Sequence, residues 1–150
     1  KRAALAADPL KKLVRLRKSR AETAERDLAA LREEKGRVEQ SLQAERQRLS
    51  GLAGEYGRTE LRLQGHNINS MAEFAAVQGD LLAIRAMAQE SQQHISQIEI
   101  SLALFEKRII AARKLWRDRE NAHDRFVELS DEMKKRGLLA ALATEEFADS

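Results

Sequence analysis

Apolar residues recur along the chain at alternating spacings of three and four, in two long runs broken by one short stretch of turn-forming residues. In the first run the a positions fall at Val14, Ala21, Leu28, Lys35, Leu42, Leu49 and Tyr56, and the d positions at Leu10, Arg17, Ala24, Leu31, Val38, Glu45 and Leu52. Only Arg17, Lys35 and Glu45 interrupt it. In the second run a falls at Phe74, Leu81, Ala88, Ile95, Leu102, Ile109, Trp116, His123 and Ser130, and d at Val77, Ile84, Ser91, Ile98, Phe105, Ala112, Arg119, Phe126 and Met133. Its exceptions are Ser91, Arg119, His123 and Ser130. Sustained a/d occupancy with charged flanks carries the period of a left-handed coiled coil. Two such runs joined by so short a connection predict an all-α fold, a long two-helix antiparallel coiled-coil hairpin.

The boundaries follow from local chemistry. Asp8-Pro9 offers a carboxylate cap followed by a proline with its φ already helical, so helix one is expected from about residue 9 to 64. The Gly-His-Asn-Ile-Asn-Ser segment, 65–70, supplies Gly65 as a left-handed C-terminal residue, with His66 and two Asn in the turn. Ser70 stands three residues before Glu73, the spacing of a capping box, so helix two starts at Met71. Lys134, Lys135 and Arg136 suit the negative end of a helix dipole before Gly137, which places its end at about 136. A tail, 138–150, remains, in which Leu138, Leu139, Leu142 and Phe147 suit a further amphipathic turn or two before a fraying terminus. The whole chain, 1–150, reads as one hairpin domain.

Helices of those lengths reach about 80 and about 100 Å, so helix two should overhang helix one. Folding the chain about residue 67 pairs positions whose numbers sum to about 133, setting Tyr56 against Val77, Leu28 against Phe105 and Arg17 over Trp116. A slip of one heptad, to a sum of about 140, instead pairs Val14 with Phe126 and Leu63 with Val77, and the pattern alone leaves both registers open. Gly51, Gly54 and Gly57 recur in helix one at about 1 kcal/mol each relative to Ala. Close helix approach or a bend accounts for them, with Gly79 at similar height on the other helix; the alternative is a soft point near the turn.

Composition narrows the function. Charged residues make up 34% of the 150, while four Phe, one Trp and one Tyr are too few for a conventional compact core. There is no cysteine, hence no disulfide and no thiolate metal site, and the default compartment is cytosolic. No apolar stretch is long enough to span a bilayer, and the opening Lys-Arg-Ala-Ala-Leu-Ala-Ala is too short for a secretory signal. The first residue is Lys rather than Met, so native sequence upstream is expected to be missing.

Chemistry is sparse. Two helices offer grooves rather than a concave site, and phosphate loops and zinc-binding helices are absent from the sequence. Glu120 and His123 have the i, i+3 spacing of a di-iron half-site, but such sites need two pairs and two further carboxylates. No catalytic, cofactor or metal residue is assigned, and the chain reads as a non-enzyme. Lys11, Lys12, Arg15, Arg17, Lys18 and Arg20 invite comparison with a DNA-binding basic helix. Leucines share that segment, however, whereas a bZIP basic region precedes its zipper. Asp118, Glu120, Asp124 and Glu128 are expected at the right height to neutralise it, and with a net charge of only +3 nucleic acid is not expected. The other use of the basic run is to dock an acidic protein.

The opening Leu10-x-x-Leu13-x-x-Leu16-Arg17, its continuation through Ala21, Ala24 and Leu28, and the late Arg117-Asp118-Arg119-Glu120 resemble the type III secretion stalk proteins of the YscO and SctO family, relatives of flagellar FliJ. That resemblance spans nearly the whole chain, through diffuse motifs. It implies a monomeric cytoplasmic stalk, peripheral to the inner-membrane export apparatus, that docks in the hexameric secretion ATPase, links it to the export gate protein and binds secretion chaperones. The ATPase end would be Lys11, Lys12, Arg15, Lys18, Arg20, Phe126 and Met133. The gate end would be Met71 and Phe74, where the match is by location, since Gln78 and Arg85 fit an apolar pattern poorly. The competing reading is a generic coiled-coil scaffold that self-associates through an exposed overhang, residues 124–147.

Overall fold

The structure, a computed structural model, describes residues 2–65 and 68–149, with side chains for 9–65, 68–138 and 140–145. Two helices account for nearly all of it: α1, Arg2–Gln64, and α2, Met71–Asp149. They pack as an all-α helical hairpin. The expected junction is met at both helix ends, but the outer ends differ. Helix α1 begins at Arg2 because Ala3, Ala4, Leu5, Ala6 and Ala7 are strong helix formers, and Pro9 is carried inside it rather than at its start. Asp8 is therefore interior to the helix, and its side chain lies outside those described. Helix α2 likewise runs through Gly137, since a single glycine costs only about 1 kcal/mol and Leu138 to Ala143 restore propensity. The side chains of Leu139 and Phe147 are outside the described set.

The turn is built by its cap. Ser70 Oγ accepts from the Glu73 N–H at 3.2 Å, the Glu73 carboxylate accepts from the Asn69 N–H at 3.1 Å, and the Phe74 N–H reaches the Ser70 carbonyl at 3.1 Å. That is the expected capping box, displaced by one residue on its return arm. Gly65 does not adopt the left-handed conformation: no described glycine has a positive φ, and its N–H simply continues the helical pattern to the Leu61 carbonyl at 2.9 Å. His66 and Asn67 lie outside the described residues.

The chain forms two compact units. Unit 1 comprises Lys1–Arg32 with Arg108–Ser150, and unit 2 comprises Glu33–Lys107. In each, segments of α1 and α2 run antiparallel around an apolar seam. Unit 1 buries Ala24, Leu28 and Ile109; unit 2 buries Leu42, Leu52, Val77, Ile84 and Ile95. All the expected a and d residues are buried or half-buried except Phe74 and Met133, the end members of the second run.

Register is where the pattern needed the structure. In unit 2 Lys35 faces Glu106 and Arg46 faces Glu99, and Ser91 Oγ donates to the Glu45 carbonyl; in unit 1 Arg17 lies over Phe126 and Arg119 reaches Arg20. These numbers sum to between 136 and 145. The register is thus the slipped one, and Arg17 stacks on Phe126 rather than Trp116. The reason lies in the seam's polar members. A sum of about 133 sets Lys35 against Ile98 and Glu45 against Ala88, burying charge on apolar neighbours, whereas the observed register sets Lys35 beside Glu106 and brings the His94 imidazole to 3.7 Å from the Glu45 carboxylate.

The glycines have no packing role. A Cβ at Gly51, Gly57 or Gly79 would meet nothing within 4 Å, and at Gly54 only the Arg58 guanidinium at 3.5 Å. Close approach is excluded as their cause, and α1 continues unbroken through them.

Candidate partner-binding surfaces

The basic segment of α1 sits in unit 1, where heptad geometry distributes it around the helix. Lys11, Lys12, Arg15, Lys18 and Arg20 are all exposed. Their expected neutralisation by Asp118, Glu120, Asp124 and Glu128 does not occur: among the described residues no carboxylate lies within 4.0 Å of these five cations. The register brings these acids to the right height, but Lys12 and Arg15 stand at the outward f and b positions and Asp118, Asp124 and Glu128 at c, b and f, so they do not face one another across the seam. His123 Nδ1 stands 3.4 Å from Asp124 rather than bridging to Glu120. Among the described residues no three His, Cys, Asp or Glu side chains gather as a metal site would need.

Two grooves in unit 1 share Lys11, Ser130 and Lys134. The larger, about 440 Å³, is lined by Leu10, Lys11, Ser130, Met133, Lys134, Arg136 and Gly137; the smaller, about 210 Å³, adds Val14, Arg15, Val127 and Asp131. The structure therefore brings Lys11, Arg15 and Met133 together. Phe126 lines a separate groove with Arg17, Ala122, Arg125 and Leu129, and Lys12, Lys18 and Arg20 line none of the three. Lys134 and Arg136 were legible only as helix-end charges; their e and g positions, flanking the seam, were the signal that they face a groove. The segment 124–137 is not an overhang, since Phe126, Val127, Ser130 and Gly137 are half-buried and Leu10, Lys11 and Val14 share their grooves.

At the turn, in unit 2, the Ser70 cap fixes where α2 begins and so where its first side chains point. Met71 is 83% exposed and Phe74 39%. With Ile68, Asn69 and Ser70 they surround an open hollow of about 370 Å³, and Leu61 on α1 is also exposed. Large apolar side chains held out by a rigid cap are the form a protein-docking tip takes. No described helix is long and apolar enough to cross a membrane.

Two antiparallel helices, with exposed cations lining grooves in unit 1 and exposed Met71 and Phe74 beside the turn in unit 2, define a helical hairpin. Among solved structures, the type III secretion protein YscO from Vibrio parahaemolyticus is similar, with a TM-score of 0.83 over 98% of this chain and 94% of that one. At 13% identity the likeness establishes a YscO-like fold. No family model matches the sequence, and no curated protein does.

Proposed function

We propose that this chain is a non-enzymatic stalk and adaptor of a type III secretion export apparatus. The observation that carries this reading is the YscO-like fold, which extends over nearly the full length of both chains. Lys11, Lys12, Arg15, Lys18 and Arg20, with Phe126 and Met133, dock in the hexameric secretion ATPase. Met71 and Phe74, beside the turn, contact the export gate protein, and secretion chaperones are further partners. The protein works as a cytoplasmic monomer at the inner-membrane apparatus.

The division of chemistry supports this assignment. Unpaired cations steer a protein partner and set its orientation, while the protruding Met71 supplies apolar area at the turn. The test is reconstitution with the cognate secretion ATPase. The full chain should raise its hexamer fraction or its ATPase rate, a Lys11→Glu/Arg15→Glu/Lys18→Glu variant should not, and Met71→Ala/Phe74→Ala should keep that effect while losing binding to the gate protein. Absence of both binding and stimulation by the full chain would remove the proposal.

A further inference from the structure

Unit 1 carries a feature that its own two-helix seam does not use. Leu115, Ala122 and Leu129 repeat every seventh residue at g positions of α2, and Phe126 falls between them at i, i+4 and i−3. Leu115 is 46% exposed and Leu129 44%, so this strip is only partly covered by α1. Apolar residues at heptad spacing beside an existing seam are what a further helix packs against. Between the strip and α1 lies the groove of about 280 Å³ formed by Arg17, Ala122, Arg125, Phe126 and Leu129.

Its charge is one-sided. Arg17 is held with its guanidinium carbon 5.3 Å from the Phe126 ring centroid, half-buried at a d position. Its Nε is shut off from solvent with no hydrogen-bond partner, and among the described residues neither Arg17 nor Arg125 has a carboxylate within 4.0 Å. A guanidinium has five donors and no acceptor, so one fixed over an aromatic ring with no carboxylate beside it is preorganised for a planar anion. A carboxylate is that anion, and bidentate pairing is the strong form of the contact.

We infer that the Arg17–Phe126 groove is a docking site for an acidic amphipathic helix of a partner protein, which lays its apolar stripe on Leu115, Ala122 and Leu129 and sets a carboxylate on Arg17 and Arg125. The charge of the groove lining selects the partner: a helix that sets one Glu or Asp between Arg17 and Arg125 gains there, and a neutral or basic one does not. The site shares no lining residue with the Lys11, Lys134 and Met133 groove, so it is a second surface within unit 1. It rests on the reading that this end receives a protein.

The experiment titrates the full chain with a synthetic helical peptide bearing Leu at heptad spacing and Glu beside it, and with the same peptide carrying Gln. Binding is read by calorimetry and by the Arg Nε–Hε resonances. The Glu peptide should move the Arg17 signal and bind about tenfold more tightly than the Gln peptide. Arg125→Gln, an exposed position outside the seam, should lose most of that difference, and Arg17→Gln should do so with its helical circular dichroism intact. Arg113→Gln should lose none. Equal binding of both peptides, an equal response to inorganic phosphate, or no effect of Arg125→Gln would overturn the inference. If the secretion ATPase binds while the peptide does not, the groove fails alone; if the peptide binds while the ATPase does not, the groove stands and the stalk function falls.

Discussion

Lys35 Nζ stands 3.8 Å from Glu106 Oε1 across the seam of unit 2, and also 3.6 Å from Glu39 on its own helix. The pair joins an a-position lysine, 28% accessible at its side chain, to a residue that the unslipped register would place a full heptad away. With Arg46 and Glu99 at 3.4 Å it records which of two otherwise equivalent pairings the helices adopt. Neither exposed pair is worth more than about 1 kcal/mol, so they report register more than they enforce it.

The register is directly measurable because the chain has no cysteine of its own. In an Arg46→Cys/Glu99→Cys variant a short bis-maleimide should crosslink the helices within one molecule. Arg46→Cys/Met87→Cys, neighbours only in the discarded register, should not crosslink. Efficient coupling of the second pair would refute the register.

Glu45 is the costly member of that seam. Its side chain is 17% accessible, its Oε1 has no hydrogen bond, and its nearest basic neighbours are the His94 imidazole Nδ1 at 3.7 Å and the Arg48 guanidinium at 3.8 Å. Replacing a poorly satisfied carboxylate with an apolar residue of similar volume should stabilise. Glu45→Leu is expected to raise unfolding free energy by about 1 kcal/mol or more in urea titration, while loosening the crosslinking pattern above. A destabilised Glu45→Leu would show that the His94 and Arg48 contacts outweigh desolvation.

The open space around the helical glycines gives a second stabilising change. Gly51→Ala, Gly57→Ala and Gly79→Ala should each add about 0.5–1 kcal/mol, because no atom stands in the way and the unfolded chain loses freedom. If the triple variant is stable but no longer stimulates the ATPase, the glycines serve flexibility near the turn. Unchanged stimulation would remove the soft-point explanation.

The cap at the turn should behave locally. Ser70→Ala removes the acceptor for the Glu73 N–H and is expected to cost about 0.5–2 kcal/mol. Amide exchange at Glu73 and Phe74 should accelerate first. A uniform change along α2 would mean that the cap is not what holds Met71 and Phe74 in place.

Core and surface leucines should separate cleanly. Leu28, 4% exposed, should cost about 2–5 kcal/mol when changed to Ala, and Leu16, 46% exposed, less than about 0.5 kcal/mol, both by denaturant midpoint. Similar losses at the two sites would contradict the heptad assignment that puts Leu28 at a and Leu16 at c.

The sequence by itself determined the helices, the residues that face the seam and the place of the turn. A period of about 3.5 is a local property, and Val77 or Leu28 must point inward whatever they meet. The Ser70 and Glu73 cap is equally local. Tertiary structure decided what lies opposite what. Two registers bury nearly the same apolar side chains, and Lys35, Glu45 and Ser91, whose neighbours are on the other helix, record which one is adopted. That choice moved Arg17 from Trp116 to Phe126. Grooves follow the same logic: Lys134 and Arg125 become part of a surface only once a second helix stands beside them. The outer helix ends were misjudged because Pro9 and Gly137 are local breakers, and the alanine-rich and leucine-rich propensity around them outweighed the break.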